Sequence, residues 1–293
     1  MNLLRAATLS VADPSATAER YAKFFDYQIV DQGSVDPQLA SSWGAPGVAH
    51  RAFVTMAPAS GTPVYLRFVA GDPLPGYRPL RTWGWAAIEL CVRDVLEVNE
   101  RLLQSPFEII GPPREIAGLS AIYPMQVRGP DDEIVFLTQI RNDLPEYDLP
   151  RAKSLIDHLF IAVMGCTHLQ RTSRWFEQAL RLSAGREMEV EYTVLAKAFG
   201  MPVEQPHRLT TLTHGRNVFL ELDQYPPAAT ARPCASGQLP PGIGCVTLSH
   251  PDFHELQGYL TAPGSRADVI YGGASSACVR TPEGALVELV GVT

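Results

Sequence analysis

The chain repeats itself, and that restricts its fold more than any other feature. Residues 4–13 read Leu-Arg-Ala-Ala-Thr-Leu-Ser-Val-Ala-Asp, a strand-like alternation. Asp13-Pro14 then predicts a helix start, with Asp at the N-cap and Pro at the first helical position. Arg20, Tyr21, Phe24 and Phe25 follow at helical spacing. Residues 156–165, Ile-Asp-His-Leu-Phe-Ile-Ala-Val-Met-Gly, predict a second such strand, followed by a helix carrying Arg174, Trp175, Phe176 and Leu180. The two copies are offset by about 152 residues in a chain of 293, so the repeat spans half the molecule.

Each half divides again. Trp85 to Asp94 predicts a strand running into a helix over Val95 to Leu103, and Ile243 to Asp252 a strand running into a helical stretch over Phe253 to Leu260. Every quarter closes on a β-rich stretch: Val64–Phe68, Ile134–Thr138, Val218–Leu222 and Leu286–Val290. Gly129-Pro-Asp-Asp132 and Thr281-Pro-Glu-Gly284 set turns ahead of two of these. The reading is an α+β chain of four β-α-β-β-β units. These pair as two domains, 1–141 and 154–293, around the polar linker Asn142 to Lys153. Residues 225–241, rich in Pro, Ala and Gly, form a long irregular connection between the third and fourth units.

Composition narrows the function. With 46% hydrophobic residues a buried core is within reach, and 24 basic against 31 acidic side chains give a net charge of -7. That balance argues against a nucleic-acid binder, which needs a basic surface. No stretch approaches the roughly 20 apolar residues of a membrane span, and Met1 to Arg5 does not start a leader peptide. Five cysteines without a CxxC pair indicate neither a disulfide framework nor a zinc ribbon, so a reducing cytoplasm is the expected compartment. GxSxG, Walker A, GxGxxG and HExxH motifs are absent. A small-molecule partner is expected.

Four such units, with Trp175-Phe-Glu-Gln-Ala-Leu180 in a helix and Thr281-Pro-Glu-Gly-Ala-Leu-Val-Glu288 at the close, resemble the vicinal oxygen chelate superfamily. That group includes glyoxalase I, bleomycin-resistance proteins and extradiol dioxygenases. The resemblance implies cup-shaped mixed sheets with helices outside, each cup built from two units. It also implies ligands for a divalent metal on the first and last strand of each unit. Carried over by position, these are His158 and Glu221 in the third unit and Cys245 and Glu288 in the fourth. The same positions in the first half fall on Ala6, Arg67, Ala87 and Phe136, which implies a site confined to the second half.

The residues support this independently. Glu221 interrupts Val218-Phe-Leu-Glu-Leu222 and Glu288 interrupts Ala285-Leu-Val-Glu-Leu-Val290. A carboxylate on the buried face of a sheet costs several kcal/mol unless paired or bound to a cation. His158, Glu221 and Glu288 around one ion, with or without Cys245, would offset that cost. Such donors suit Zn, Fe, Mn, Co or Ni. Tyr192, His207 and Arg208 are candidate substrate contacts. The expectation is an enzyme, monomeric or homodimeric, in which the metal stabilises an oxyanion and Glu288 or Glu221 moves a proton, as in glyoxalase-type lyases, isomerases and epimerases. The alternatives are an extradiol-type dioxygenase and a metal-free binding or resistance protein.

Overall fold

A computed structural model describes residues 3–116, 118–256, 261–265 and 268–292. The first unit comprises β1 (Leu4–Val11), α1 (Pro14–Phe25), β2 (Gln28–Ser34), α2 (Pro37–Ser42), β3 (Ala52–Ala57) and β4 (Tyr65–Ala70). The second comprises β5 (Gly84–Val92), α3 (Val95–Leu102), β6 (Glu108–Gly111), β7 (Ile122–Arg128) and β8 (Ile134–Ile140). The third has β9 (Ile156–Cys166), α4 (Leu169–Leu180), β10 (Ser183–Ala184), β11 (Met188–Glu191), α5 (Thr193–Phe199), β12 (Pro206–His214) and β13 (Asn217–Gln224). The fourth has β14 (Gly242–His250), β15 (Thr261–Ser265), β16 (Ser275–Arg280) and β17 (Leu286–Gly291).

The helix starts are written locally. Asp13 accepts from the backbone N–H groups of Ser15 and Ala16, and Asp94 does the same for Leu96 and Glu97. In the fourth unit the expected helix is a single 3-10 turn, Phe253–Glu255; residues 257–260 of that expectation lie outside the described residues.

The units pair differently from the expected halves. One mixed sheet runs β15-β16-β17-β14-β1-β4-β3-β2, joining the first unit to the fourth; the other joins the second to the third through β9 and β5. Both seams are antiparallel, with Ala7 opposite Val246 and Ile88 opposite Ala162. Within each unit the first and last strands run parallel, as in β1–β4 and β9–β13. Residues 1–141 and 154–293 therefore do not close separate cups. Each half contributes one unit to each cup, because the free edge of β1 is covered by β14 rather than by β5. The four-unit fold with its mixed cup-shaped sheets is otherwise as expected.

A large apolar core fills the space between the outer helices and the two sheets, including Tyr21, Phe25, Phe68, Trp85, Phe176 and Phe219. The concave side of the first sheet is packed by Val35, Leu39, Trp43, Cys245, Tyr271 and Leu286 among others. The second concavity is lined by Phe136, Phe160, Ile161, Val163, Val194 and Val218.

Candidate functional site

The two seams define equivalent positions. In the first cup, Thr8 stands opposite Arg67 and Thr247 opposite Glu288. In the second, Glu89 stands opposite Phe136 and Val163 opposite Glu221. The expected ligand positions on the first strands are thus displaced by two residues: Thr247 rather than Cys245, and Glu89 rather than Ala87.

The first cup is closed around an ion pair. Glu288 has no exposed surface, and one of its oxygens lies 3.8 Å from the Arg67 guanidinium. It accepts hydrogen bonds from Trp43 Nε1 (3.2 Å), Thr247 Oγ1 (2.9 Å) and Tyr271 OH (2.9 and 3.0 Å to its two oxygens). Arg67 donates to Thr8 and Tyr271, and its cation lies over the Trp43 and Tyr271 rings at 4.7 and 5.6 Å. Burial works against the Arg67 charge, but Tyr271, Glu288 and Asp268 hold its pKa above the ordinary value. Glu288 thus faces an internal cation, with its oxygens engaged. Cys245 is fully buried among apolar side chains, and burial pushes its thiol well above the usual range.

His158 lies elsewhere. Its Nδ1 is 3.2 Å from Asp157 Oδ1 and 3.7 Å from Cys91 Sγ. Along β9 it is five residues from Val163, the partner of Glu221. At about 3.3 Å per residue that is roughly 16 Å. Glu288 belongs to the other sheet. The expected grouping of His158, Glu221 and Glu288 around one ion is therefore not formed. Sequence period cannot reveal which units share a cup.

Among the described residues, Cys91, Asp157 and His158 are the group of three that gathers ligand atoms within 4.8 Å of one another. Asp157 is already engaged: its oxygens accept from Ser60 Oγ and from the backbone N–H groups of Lys153, Ser154 and His158. Against the opposing effect of burial, the bonds from His158, Ser60 and Lys153 hold its carboxyl below the usual range. The Cys91 thiol donates to the His158 carbonyl and is pushed up by burial and by Asp157. Cys91 and His158 alone supply two of the four ligands of a tetrahedral zinc site. The trio ties the start of β9 to β5 and to the Ser60 loop.

The second cup holds the unsatisfied chemistry. Glu89, Glu221 and Asp223 share one electrostatic environment inside its apolar wall. Glu221 and Asp223 are two apart on β13, hence on one face, and each carboxyl bears on the titration of the other. Burial raises the pKa of both, and the Asp223 charge raises Glu221 further, so the pair retains a proton where separate carboxyls would not. Burial and the Glu221 charge push Glu89 up to about 8, partly offset by the hydrogen bond from Thr138 Oγ1.

Tyr192 OH donates to Glu221 Oε1 at 3.4 Å, and its ring packs edge-on against Phe136 and His207. His207 is buried, which lowers its pKa. Of seven buried side-chain polar atoms without a hydrogen-bond partner among the described residues, four lie on this part of the third unit: His207 Nε2, Thr211 Oγ1, Asp223 Oδ1 and Tyr225 OH. Groups of this kind are ordinarily satisfied by protein or by ordered water, and their concentration makes this the candidate site. Tyr192 and His207 are thus in the cup, whereas Arg208 points to the surface and pairs with Glu187.

Glu89 and Asp223 were not singled out from sequence. Glu89 interrupts the apolar run Trp85–Val92 just as Glu221 and Glu288 interrupt theirs, and Asp223 follows Glu221 at the strand period; both signals were present. The acids and His207 do not bring three ligand atoms within 4.8 Å of one another. As placed, they do not fit a divalent-metal cage.

No family model matches the chain, and no curated protein matches it. Solved structures do. Glyoxalase I from Zea mays aligns over 99% of this chain and 92% of its own, with a TM-score of 0.65 and 15% identity. A putative dioxygenase from Bacillus subtilis subsp. subtilis str. 168 aligns over 99% of this chain and 85% of its own, with a TM-score of 0.62 and 13% identity. At these identities the likeness shows the fold alone, one shared with these two structures. No helix among the described residues is long and apolar enough to cross a membrane.

Proposed function

We propose that the second cup binds a small oxygenated molecule and moves a proton on it, as an isomerase, epimerase or glyoxalase-type lyase does. The observation that carries this reading is the cluster of Glu89, Glu221 and Asp223, each held above the ordinary carboxyl range inside one concavity. Abstraction of a proton next to a carbonyl needs a base with a pKa near working pH and an acid nearby to protonate the developing oxyanion. Buried carboxyls with raised pKa supply both roles.

In this reading Asp223 accepts the proton from carbon and Glu221, kept protonated beside it, donates to oxygen. Tyr192 orients Glu221 through its hydroxyl. His207 Nε2 and Thr211 Oγ1 bind the substrate oxygens, and Phe136, Val163 and Val218 exclude water. The full-length likeness to glyoxalase I supports the cup as a ligand site, the fold being one that hosts several chemistries. A two-His-one-carboxylate iron site, the usual basis of ring cleavage by non-haem iron, has no matching donor set among the described residues of either cup.

Solvent-deuterium exchange tests the reading. The wild type is incubated in D2O with a panel of α-hydroxycarbonyl compounds and thiol hemiacetals of 2-oxoaldehydes, and exchange is followed by proton NMR. Exchange at the carbon next to the carbonyl is expected for at least one member, with a loss of a hundredfold or more in Glu221→Gln, the scale of general acid–base catalysis at about 10²–10⁴. Equal exchange in Glu221→Gln would refute the assignment; tight binding without exchange would make the cup a sequestering site instead.

A further inference from the structure

Beside the second cup lies a cavity of about 300 Å³ lined by Gly76, Arg78, Arg81, Ala228 and Thr230. Its two walls are tied together. Arg81 N–H donates to the Arg78 carbonyl, Thr230 N–H to the Arg81 carbonyl, and Trp83 N–H to the Thr230 carbonyl, each at 3.1 Å. The size lies at the lower end of the range for small-ligand pockets, roughly 300–1,000 Å³.

The two arginines stand apart from most others in this acidic chain. Twelve arginines among the described residues have a carboxylate within 4.0 Å. Arg78 and Arg81 are not among them, although three residues apart in one turn they line the same cavity. Two arginines lining one cavity, neither paired with an acid, are suited to an oxyanion, which a guanidinium binds through parallel N–H donors.

The cavity adjoins the cup. The Arg81 cation lies over the Phe199 ring at 5.4 Å, and Phe199 packs edge-on against Tyr225 at 5.9 Å. Tyr225 interacts electrostatically with Asp223, and Leu80, next to Arg81, belongs to the cup's apolar lining. The acidic groups inside the cup offer no cation to an anionic substituent, so such a group is best held at a cationic rim.

We infer that Arg78 and Arg81 form an oxyanion subsite at the mouth of the second cup, and that the substrate carries a phosphate or carboxylate at the end away from its reacting carbon. The link to a reacting carbon rests on the proposed proton transfer; the subsite itself does not.

Calorimetric titration of the full chain with inorganic phosphate and, separately, with succinate at low ionic strength tests this and tells the two anions apart. One saturable site is expected for at least one of them. Binding should weaken tenfold or more in Arg78→Gln/Arg81→Gln, yet persist in Glu221→Gln and in Arg174→Gln, an exposed arginine elsewhere. Should the double variant misfold, Arg78→Gln alone, at an exposed position, should weaken binding measurably. Unchanged affinity in these rim variants, or no saturable binding of either anion by the wild type, would overturn the subsite. Rim binding without Glu221-dependent exchange would instead sink the proton-transfer reading alone.

Discussion

Arg67 and Glu288 occupy equivalent places on the last strands of the two units that share the first cup, and their charges meet at 3.8 Å in its buried interior. An internal guanidinium thus balances the carboxylate for which the sequence suggested a metal. Removing one partner of such a pair leaves an uncompensated buried charge. Arg67→Met should cost about 3–5 kcal/mol of stability, measured by urea unfolding. Adding Glu288→Leu should recover part of that, giving a coupling energy of about 1 kcal/mol or more in the double-mutant cycle. Trp43, Tyr271 and Thr247, left without their acceptor, keep the recovery incomplete.

The seams β1–β14 and β5–β9 cross between the two halves of the chain. Residues 1–141 and 154–293 expressed separately should each expose a seam edge and an apolar sheet face, and should aggregate or remain unfolded. Expressed together they should assemble into a one-to-one complex with native circular dichroism. Two stable, monomeric half-chains would contradict this arrangement.

The fold was legible because its signals are local: Asp13 and Asp94 cap helices where the sequence places them, and the turns before the closing strands stand at Gly129–Asp132 and Thr281–Gly284. The pairing of units was not, since the edge of β1 carries no mark that distinguishes β14 from β5 as its neighbour. That ambiguity displaced the site, together with the register of the first strands, which brings up Thr247 and Glu89 in place of Cys245 and Ala87 and leaves His158 five residues from the partner of Glu221. It set His158 and Glu221 beside Glu288, which belongs to the other cup, and it hid Glu89, which approaches Glu221 only across the β5–β9 seam. Glu221 was found because a carboxylate in an apolar strand is anomalous wherever the strand is placed, and Tyr192 and His207 because they belong to the inner stretch of the third unit.

Glu89 ties stability to pH. Its folded pKa of about 8 exceeds the ordinary value of 4.5, so the folded state binds the extra proton between those limits. Stability contributed by the protonated form is fully present below the ordinary value and is lost as pH rises towards and through the folded one. Taking 1.36 kcal/mol per unit, the loss is of the order of 3–5 kcal/mol. Glu89→Gln, which retains an acceptor for Thr138, should melt at a higher temperature than the wild type at pH 8–9 and close to it at pH 4. Parallel melting curves across that range would remove the carboxyl from the buried environment assigned to it.

Gly165 lies beneath the Tyr225 ring, where a Cβ would sit 2.5–2.7 Å from three ring atoms. The ring is held in place by Ala86, Leu195 and Phe199, so it cannot retreat freely. Gly165→Ala should therefore cost about 1–3 kcal/mol, as overpacking of a filled core does. It should also displace Tyr225 from its place near Asp223 and lower any Glu221-dependent exchange. Combining it with Tyr225→Leu removes the clash, so the double variant should be less destabilised than the sum of the two single changes. Simple additivity in urea unfolding would mean that the ring does not press on β9.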